Sequence, residues 1–297
     1  MPEMTKKQFI LCICLFLSTL GFHARAQETD AWPGRVEFFA GVDVNYRFIS
    51  YTSRPVELLL YVTPAVKWHP GKDWQLTLQG AIPFVNLYGD YYRYPRINIA
   101  ALSKELYAGN FSFKFSGGLF SRQRYGLDAK FQWAVTPWFA LEGQISWTGF
   151  YEMTNRWAFS AMDRVTGLLS ARFYIPKYRT EFRITGGRYI YADYGLRFAW
   201  MKHFSRFISV GAFVQTGDHY GNLTLSPVRL GAGAQLIFML PWQGNGKKRV
   251  SFRPASNIRL TYDYKSDEYG MKMFATDPEE NERSGNFSKS HWGVGSR

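Results

Sequence analysis

The sequence predicts an all-β fold, a single transmembrane antiparallel β-barrel of about 12 to 14 strands. Three observations predict it: an amino-terminal secretion signal, a period-two alternation of apolar and polar residues, and no later apolar run long enough for a membrane helix. Aromatic residues make up 18 % of the chain, which suits the aromatic girdles that barrels place at both membrane interfaces.

The amino terminus has the pattern of a secretory signal peptide. Lys6 and Lys7 precede an apolar run from Phe9 to Phe22, and Ala24-Arg25-Ala26 is a small-x-small cleavage site. The run is shorter than the roughly 20 apolar residues that span a bilayer, so it is not predicted to be an anchor helix. We expect the mature chain to begin at Gln27 and to lie in the bacterial cell outer membrane.

Cysteine content and charge limit the function classes. Both cysteines, Cys12 and Cys14, lie in the predicted signal, so the mature chain would carry neither a disulfide nor a thiolate metal site. Removing residues 1–26 takes away three basic residues and one acidic residue, which lowers the net charge from +13 to +11. Nucleic acid, an acidic polysaccharide and anionic lipid all attract such a charge. Because the chain is predicted to be exported, we exclude nucleic acid, and we expect no cofactor.

The alternation begins at Arg35 and recurs in segments of about ten or more residues, a length that suits a tilted membrane crossing. One segment places Leu141, Ile145 and Trp147 on one face and Glu142, Gln144 and Ser146 on the other. In a barrel the first set faces lipid and the second faces the lumen. A secreted β-sandwich would also alternate, but its strands are usually shorter.

The breaks between segments alternate in length, as the periplasmic turns and outer loops of barrels do. The short breaks fall at His69 to Asp73, Ala108 to Asn110, Thr136 to Pro137, Ile175 to Arg179 and Phe204 to Arg206. The outer breaks fall at Ser50 to Pro55, Phe84 to Tyr94, Ser121 to Gln123, Tyr151 to Ala161, Ile190 to Asp193 and Gly217 to Pro227. This arrangement gives 12 strands by Leu240 and places the amino terminus in the periplasm.

A thirteenth strand is predicted from Phe252 to Tyr264, and bacterial barrels generally have an even strand number. Either Tyr269 to Phe274 or Phe287 to Gly295 could supply the fourteenth. We therefore assign residues 1–26 to the signal peptide and 27–275 to the barrel. Residues 276–297 are assigned to a charged loop or tail that has room for a last strand.

Charged residues occupy the alternate face of many predicted strands, where lipid contact would cost roughly 2 to 4 kcal/mol for Arg or Lys at the midplane. The basic ones are Arg47, Lys67, Lys114, Lys130, Arg164, Arg172, Arg183, Arg197, Arg229 and Arg259, and the acidic ones are Glu37, Asp43, Glu57, Asp128, Glu142, Glu181 and Asp263. They predict either a salt-bridged interior or a weakly basic conduit for an anionic or hydroxyl-rich polymer. In the second case Arg164, Arg172, Arg183, Arg197 and Arg229 are the candidates to face the polymer.

Catalytic and metal-binding patterns are weak. Four histidines follow the signal, His69, His203, His219 and His291, and none has the i, i+4 spacing of a zinc helix. The local candidate for a hydrolase is Asp218-His219, two adjacent residues in a predicted outer loop. We predict a noncatalytic protein without a metal.

The most distinctive segment runs from Gly187 to Gly195, with Arg188, Tyr189 and Asp193 between the glycines. Asp193 could accept backbone N–H bonds in a turn or pair with Arg188 or Arg197. Together with a Val-Gly-Ala-Phe strand at Val210 to Phe213, this segment resembles the YjbH-type family of exopolysaccharide-associated outer-membrane barrels. The resemblance covers about Gly186 to Trp242.

The resemblance implies a barrel that assists export or surface assembly of an exopolysaccharide such as a capsule, with no catalytic residues to carry over. Its implied partners are outer-membrane lipid, an anionic or hydroxyl-rich polysaccharide and other export proteins. The alternatives are a general porin or surface-binding barrel, and an outer-membrane hydrolase.

Overall fold

The computed structural model describes residues 33–48, 56–87, 93–153, 157–205, 208–218, 229–238, 250–253, 258–264, 273–278 and 280. These residues are all-β, apart from turns and a single 3-10 turn at Pro176–Tyr178. Within these ranges, no helix has the length and apolar character needed to cross a bilayer.

Fifteen strand segments follow one another along the described chain. They are β1 (Arg35–Phe48), β2 (Val56–Gly71), β3 (Trp74–Asn86), β4 (Arg96–Ala108), β5 (Phe111–Phe120), β6 (Arg124–Thr136), β7 (Phe139–Glu152), β8 (Ala158–Phe159), β9 (Arg164–Ile175), β10 (Thr180–Arg188), β11 (Tyr194–His203), β12 (Ile208–Asp218), β13 (Arg229–Phe238), β14 (Val250–Arg253) and β15 (Ile258–Tyr264). Apart from the short segments β8 and β14, these strands form one sheet of 13 strands.

Strands that follow one another in the sequence pair antiparallel, from β1 to β7, from β7 to β9, onward to β13, and from β13 to β15. The two-residue β8 pairs only with β7. The other edge of β1 pairs in parallel with β14 and β15. The predicted antiparallel sheet is confirmed between consecutive long strands, and β1 with β14 and β15 is a parallel exception, because the thirteenth strand of an alternating series runs in the same direction as the first.

Predicted and observed strand boundaries agree closely. Each of the five short breaks falls at the end of an observed strand, although β2 runs on to Gly71 inside the break at His69 to Asp73. The breaks at Ser121 to Gln123 and Ile190 to Asp193 lie wholly between strands, and twelve long strands end by Phe238. The predicted thirteenth strand is represented by β14 and β15. The predicted strand from Tyr269 to Phe274 is wrong at Met273 and Phe274, which are buried and belong to no strand, while Phe287 to Gly295 lies outside the described residues.

The sheet has a polar buried face and an apolar exposed face. A row of directly paired residues across β4, β5, β6, β7 and β9 is buried, namely Ser103, Ser116, Asp128, Ser146 and Thr166. The neighbouring row on the opposite face is Leu102, Gly117, Leu127, Trp147 and Val165. Leu102, Leu127 and Val165 are exposed. Burial is therefore reversed relative to a water-soluble sheet packed on an apolar core.

The predicted facing of β7 agrees with this arrangement. Glu142 is fully buried, and Gln144 and Ser146 are also buried, whereas Ile145 is 62 % exposed. Because successive side chains of a strand point to opposite faces, a shift of one residue would reverse this assignment.

Large exposed aromatic side chains gather towards both ends of the strands. Those near the short connections are Trp68, Trp74, Trp133, Trp138, Tyr178, Trp200 and Phe204. Those near the long connections are Phe84, Tyr94, Trp157, Phe159 and Tyr194. Neighbouring rings contact one another at both ends, as in Phe111 on Trp133 at 5.2 Å between centroids and Tyr125 on Phe159 at 5.1 Å.

Candidate functional site

A carboxyl-terminal segment packs on the polar buried face of the sheet. We call Met273–Pro278 together with Glu280 the inserted segment. Every side chain in it is buried except that of Pro278, which is half-buried. It contacts residues of five strands, β2, β3, β5, β6 and β9.

The first half of the inserted segment is apolar. The Phe274 ring stacks on the Phe120 ring, with centroids 5.0 Å apart and planes 5° from parallel. The Ser121 backbone N–H donates to the Ala275 carbonyl at 3.1 Å, and the Ala275 N–H donates to the Ser121 Oγ at 2.7 Å. These contacts fix the direction in which the segment enters the buried face.

The second half of the segment is acidic and meets three buried lysines from three strands. The Lys67 Nζ lies 2.6 Å from the Asp277 Oδ1, and the Lys130 Nζ lies 2.6 Å from the Glu280 Oε2. Lys114 lies between them, 3.6 Å from Asp277 and 3.1 Å from Glu280. We call these five residues the lysine cluster. All five side chains are at least nine-tenths buried, so their Coulomb attraction is screened little by water.

Further polar groups hold the two carboxylates in place. The Gln75 Nε2 donates to the Asp277 Oδ2 at 2.5 Å, and the Thr276 N–H donates to the Glu280 Oε2 at 2.7 Å. The Glu280 N–H donates to the Asp277 carbonyl at 3.0 Å, which closes a turn with Pro278 at its second position, where proline is favoured. The turn brings both carboxylates within reach of Lys114.

The electrostatics of the cluster favour the charged form of Glu280. Burial raises the pKa of the Glu280 carboxyl, but the ammonium groups of Lys114 and Lys130 outweigh burial and hold that pKa below its ordinary value. The carboxylate is thus ionised at neutral pH and serves as a counter-ion for two lysines.

A second buried cluster joins the fully buried Glu142 to two arginines. The Arg172 Nη1 lies 3.3 Å from the Glu142 Oε1, and the Arg183 Nη2 lies 3.5 Å from the Glu142 Oε2. Arg183 also lies 3.1 Å from Glu181. The buried Arg197 guanidinium lies 3.8 Å from the centroid of the Phe213 ring. These contacts place three of the five polymer-facing candidates on the buried face.

The other two candidates differ. Arg164 begins β9, is about half exposed and lies 3.6 Å from the exposed Asp163. Arg164 pairs with the fully buried Thr148 and so has the parity of the buried face, but it lies at the end of a strand that is open to solvent, and its contact with a polymer stays a prediction. Arg229 begins β13, and its side chain lies outside the described residues.

The distinctive Gly187 to Gly195 segment is the end of the β10–β11 hairpin, and its connecting residues turn onto the buried face. Gly187 pairs with Gly195, and the Tyr189 N–H donates to the Asp193 carbonyl at 2.8 Å. Tyr189 is fully buried against Met273 and Leu168, and Asp193 is also buried. The hairpin and the inserted segment are therefore packed together.

Neighbouring residues extend this contact. The fully buried Ile190 packs with Phe274 and Ala275. The Arg124 Nη2 donates to the Ile190 carbonyl at 3.2 Å, and its guanidinium lies 5.1 Å from the Tyr191 ring centroid. The Arg188 guanidinium lies 5.9 Å from the Tyr194 ring centroid, at the base of the hairpin.

The candidates that remain are Asp218 and the histidines. Asp218 ends β12 with its side chain outside the described residues, where His219 and His291 also lie. The His203 Nδ1 lies 2.8 Å from the Ser209 Oγ at a short turn. The described part of the chain contains no group of three His, Cys, Asp or Glu residues placed to hold a metal ion.

The sequence pattern predicts Lys67, Lys114 and Lys130 on the inner face but does not indicate their acidic partners. Asp277 and Glu280 were assigned only to a charged loop or tail, since a segment of this kind has no strand periodicity.

Comparison with known proteins gives no match for this chain among family models, curated proteins or solved structures. Chemically, the buried face offers paired ammonium and guanidinium groups together with many hydroxyls, which suits binding of anions and hydroxyl-rich molecules.

Proposed function

We propose that this protein is a noncatalytic outer-membrane β-barrel that assists export or surface assembly of an exopolysaccharide. The observation that carries the proposal is the reversal of the two faces of the sheet, with rows of Ser, Thr, Asp, Lys and Arg buried and rows of Leu, Ile, Val and Trp exposed. A bilayer stabilises such a protein, because the exposed apolar face contacts hydrocarbon and the charged groups avoid it.

The extent of the exposed apolar face supports a membrane location. Exposed apolar side chains follow one another across the sheet from β3 to β12, among them Leu78, Leu102, Ile145, Leu169 and Phe198. Contiguous apolar patches on soluble monomers rarely exceed a few hundred Å². The aromatic side chains towards both strand ends match the girdles that flank the apolar band of a barrel.

The strand pairing supports closure of the sheet. β1 pairs along its length with β2, and five of its residues, Val42–Tyr46, pair in parallel with Ile258–Tyr262 of β15. Closure through these two edges would leave no unpaired edge in contact with lipid, where each unsatisfied backbone group costs several kcal/mol. A closed barrel with an odd number of strands requires one parallel pair where its first and last strands meet, and the β1–β15 pair has that orientation.

Two features support a polysaccharide as the cargo. The resemblance of Gly186 to Trp242 to YjbH-type proteins implies it, and the buried basic groups offer charge-assisted hydrogen bonds to acidic or hydroxyl-rich sugars. The inserted segment covers part of the buried face. This arrangement is more consistent with controlled passage of a polymer than with the open channel of a general porin.

Fractionation and export assays test the proposal. Fractionated cells should contain the mature chain in the outer membrane, and cells lacking the gene should carry less surface polysaccharide. Asp193→Ala should reproduce part of that loss, because it removes a buried carboxylate from the hairpin that packs on the inserted segment, whereas His219→Ala should not. Recovery as a soluble periplasmic protein, or unchanged surface polysaccharide without the gene, would contradict the proposal.

A further inference from the structure

The lysine cluster has the composition of a carboxylate-binding site. Three ammonium groups, from β2, β5 and β6, converge on two carboxylates that belong to none of these strands. Lys114 contacts both carboxylates and so links the two positions. The Gln75 amide and the Thr276 hydroxyl add hydrogen bonds to the same groups.

We propose that Lys67, Lys114 and Lys130 form a binding site for the carboxylates of an acidic, uronate-containing saccharide, and that the inserted segment occupies this site with Asp277 and Glu280. The inference rests on the proposed function, because it names the chemical class of the exported polymer. The polymer and the inserted segment compete for the same three lysines.

The way in which the segment is held allows this competition. It is not a strand of the sheet, and its backbone pairs with the sheet through Ser121. Within the segment, the Thr276 N–H is bonded to the side chain of Glu280 and the Glu280 N–H to the carbonyl of Asp277. The segment can therefore leave with these bonds intact and without breaking any strand pairing.

The charges indicate what can replace it. Asp277 and Glu280 lie 2.6 Å from Lys67 and Lys130, so departure of the segment removes two buried negative charges from the three lysines. Buried positive charge is costly when close negative charge is removed. An acidic saccharide supplies new carboxylates at this position, whereas a neutral saccharide does not.

Binding of tetragalacturonate to the purified full chain in detergent tests the inference, with maltotetraose as the uncharged control. Asp277→Asn/Glu280→Gln removes the competing charges and should strengthen tetragalacturonate binding about tenfold or more, within the range of typical coupling between sites. Asp163→Asn, which neutralises an exposed carboxylate, should leave binding unchanged. Adding Lys114→Gln to the double variant should abolish the gain. Unchanged affinity in the double variant, or equal gains for both sugars, would overturn the inference.

A reversible crosslink tests the same point if the double variant does not fold. Ser121→Cys with Ala275→Cys, in a Cys12→Ser/Cys14→Ser background, places two thiols where the backbones of Ser121 and Ala275 are hydrogen-bonded. The oxidised form should bind tetragalacturonate at least about tenfold more weakly than the reduced form of the same protein. Equal binding by the two forms, or no binding by either, would overturn the inference.

Failure of this inference is distinct from failure of the proposed function. If surface polysaccharide depends on the protein but tetragalacturonate binding is unaffected by substitutions in the lysine cluster, the inference is wrong and the proposed function stands. If the gene has no effect on surface polysaccharide, the proposed function is wrong whatever the purified protein binds.

Discussion

The Lys130 ammonium donates a hydrogen bond of 2.6 Å to the Glu280 carboxylate, across 150 residues of sequence. This contact links β6 to a segment that follows the last described strand, and both side chains are nearly fully buried. A strand residue and a residue outside the sheet thus neutralise each other on the polar face. The interior of the molecule is held together by charge pairs and hydroxyls as well as by the small apolar contacts around Phe120 and Tyr189.

Glu280→Gln should destabilise the protein by about 3 kcal/mol, because Lys114 and Lys130 each lose a buried counter-ion. The matched control is Asp163→Asn, which breaks an exposed ion pair and should cost less than about 1 kcal/mol. Thermal unfolding in detergent measures both changes, and hydrogen exchange of 273–280 should rise only in the first variant. Equal losses of stability in the two variants would show that Glu280 does not anchor the inserted segment to the sheet.

The contribution of Glu280 should depend on pH in a defined direction. Because the pKa of this carboxyl is lower in the folded protein than its ordinary value of 4.5, its stabilisation is present above pH 4.5 and is lost as pH falls through the folded-state pKa. The difference in Tm between the wild type and Glu280→Gln should therefore be full at neutral pH and shrink below pH 4.5. A difference that stays constant from pH 7 to pH 3 would show that the ionised carboxylate is not responsible.

Ile145→Arg should impair assembly more than Gln144→Arg. In the proposed barrel, arginine at the exposed position 145 places a charge in hydrocarbon, at roughly 2 to 4 kcal/mol. Position 144 lies on the buried face, with its amide 2.8 Å from Asp128. Heat-modifiable migration on gels and the yield in the outer membrane measure assembly. Equal tolerance of the two arginines would contradict the facing of β7.

Gly187→Ala should weaken the β9–β10 pairing. Gly187 has a φ of +143°, and a Cβ there would overlap the carbonyl oxygen of Gly167, so the loss should exceed about 1 kcal/mol. Gly167→Ala is the matched control, because a Cβ at Gly167 would meet no atom within 4 Å. Unfolding in detergent compares the two, and equal stability would show that the sheet can open at this point without cost.

The strands were predictable because period-two alternation is a local signal. In β7, for example, Glu142 and Ser146 are buried and Ile145 is exposed. This alternation of polar and apolar residues can be recognised within a few consecutive residues. Turn residues such as Gly109 and Pro137 then fixed most boundaries.

The contacts of the inserted segment were not predictable in this way. Asp277 and Glu280 meet lysines that lie 150 or more residues earlier, and a non-periodic acidic segment does not show which charges it will contact. The parallel pairing of β1 with β15 depends on the total number of strands, which no single segment determines. The exposure of Arg164 depends on its position as the first residue of β9, which is open to solvent, and not on the face of the strand to which it belongs.

Lipid contact at Ile145 decides whether the exposed apolar face lies in a bilayer. A single cysteine at position 145, and another at the exposed position 163, can each carry a bimane label in a Cys12→Ser/Cys14→Ser background. The labelled proteins are reconstituted in bilayers whose lipids carry a nitroxide in mid-chain. A membrane-embedded barrel should give strong quenching at position 145 and little at position 163, since only the first would face hydrocarbon. Quenching at position 145 no greater than at position 163 would contradict a membrane-embedded barrel.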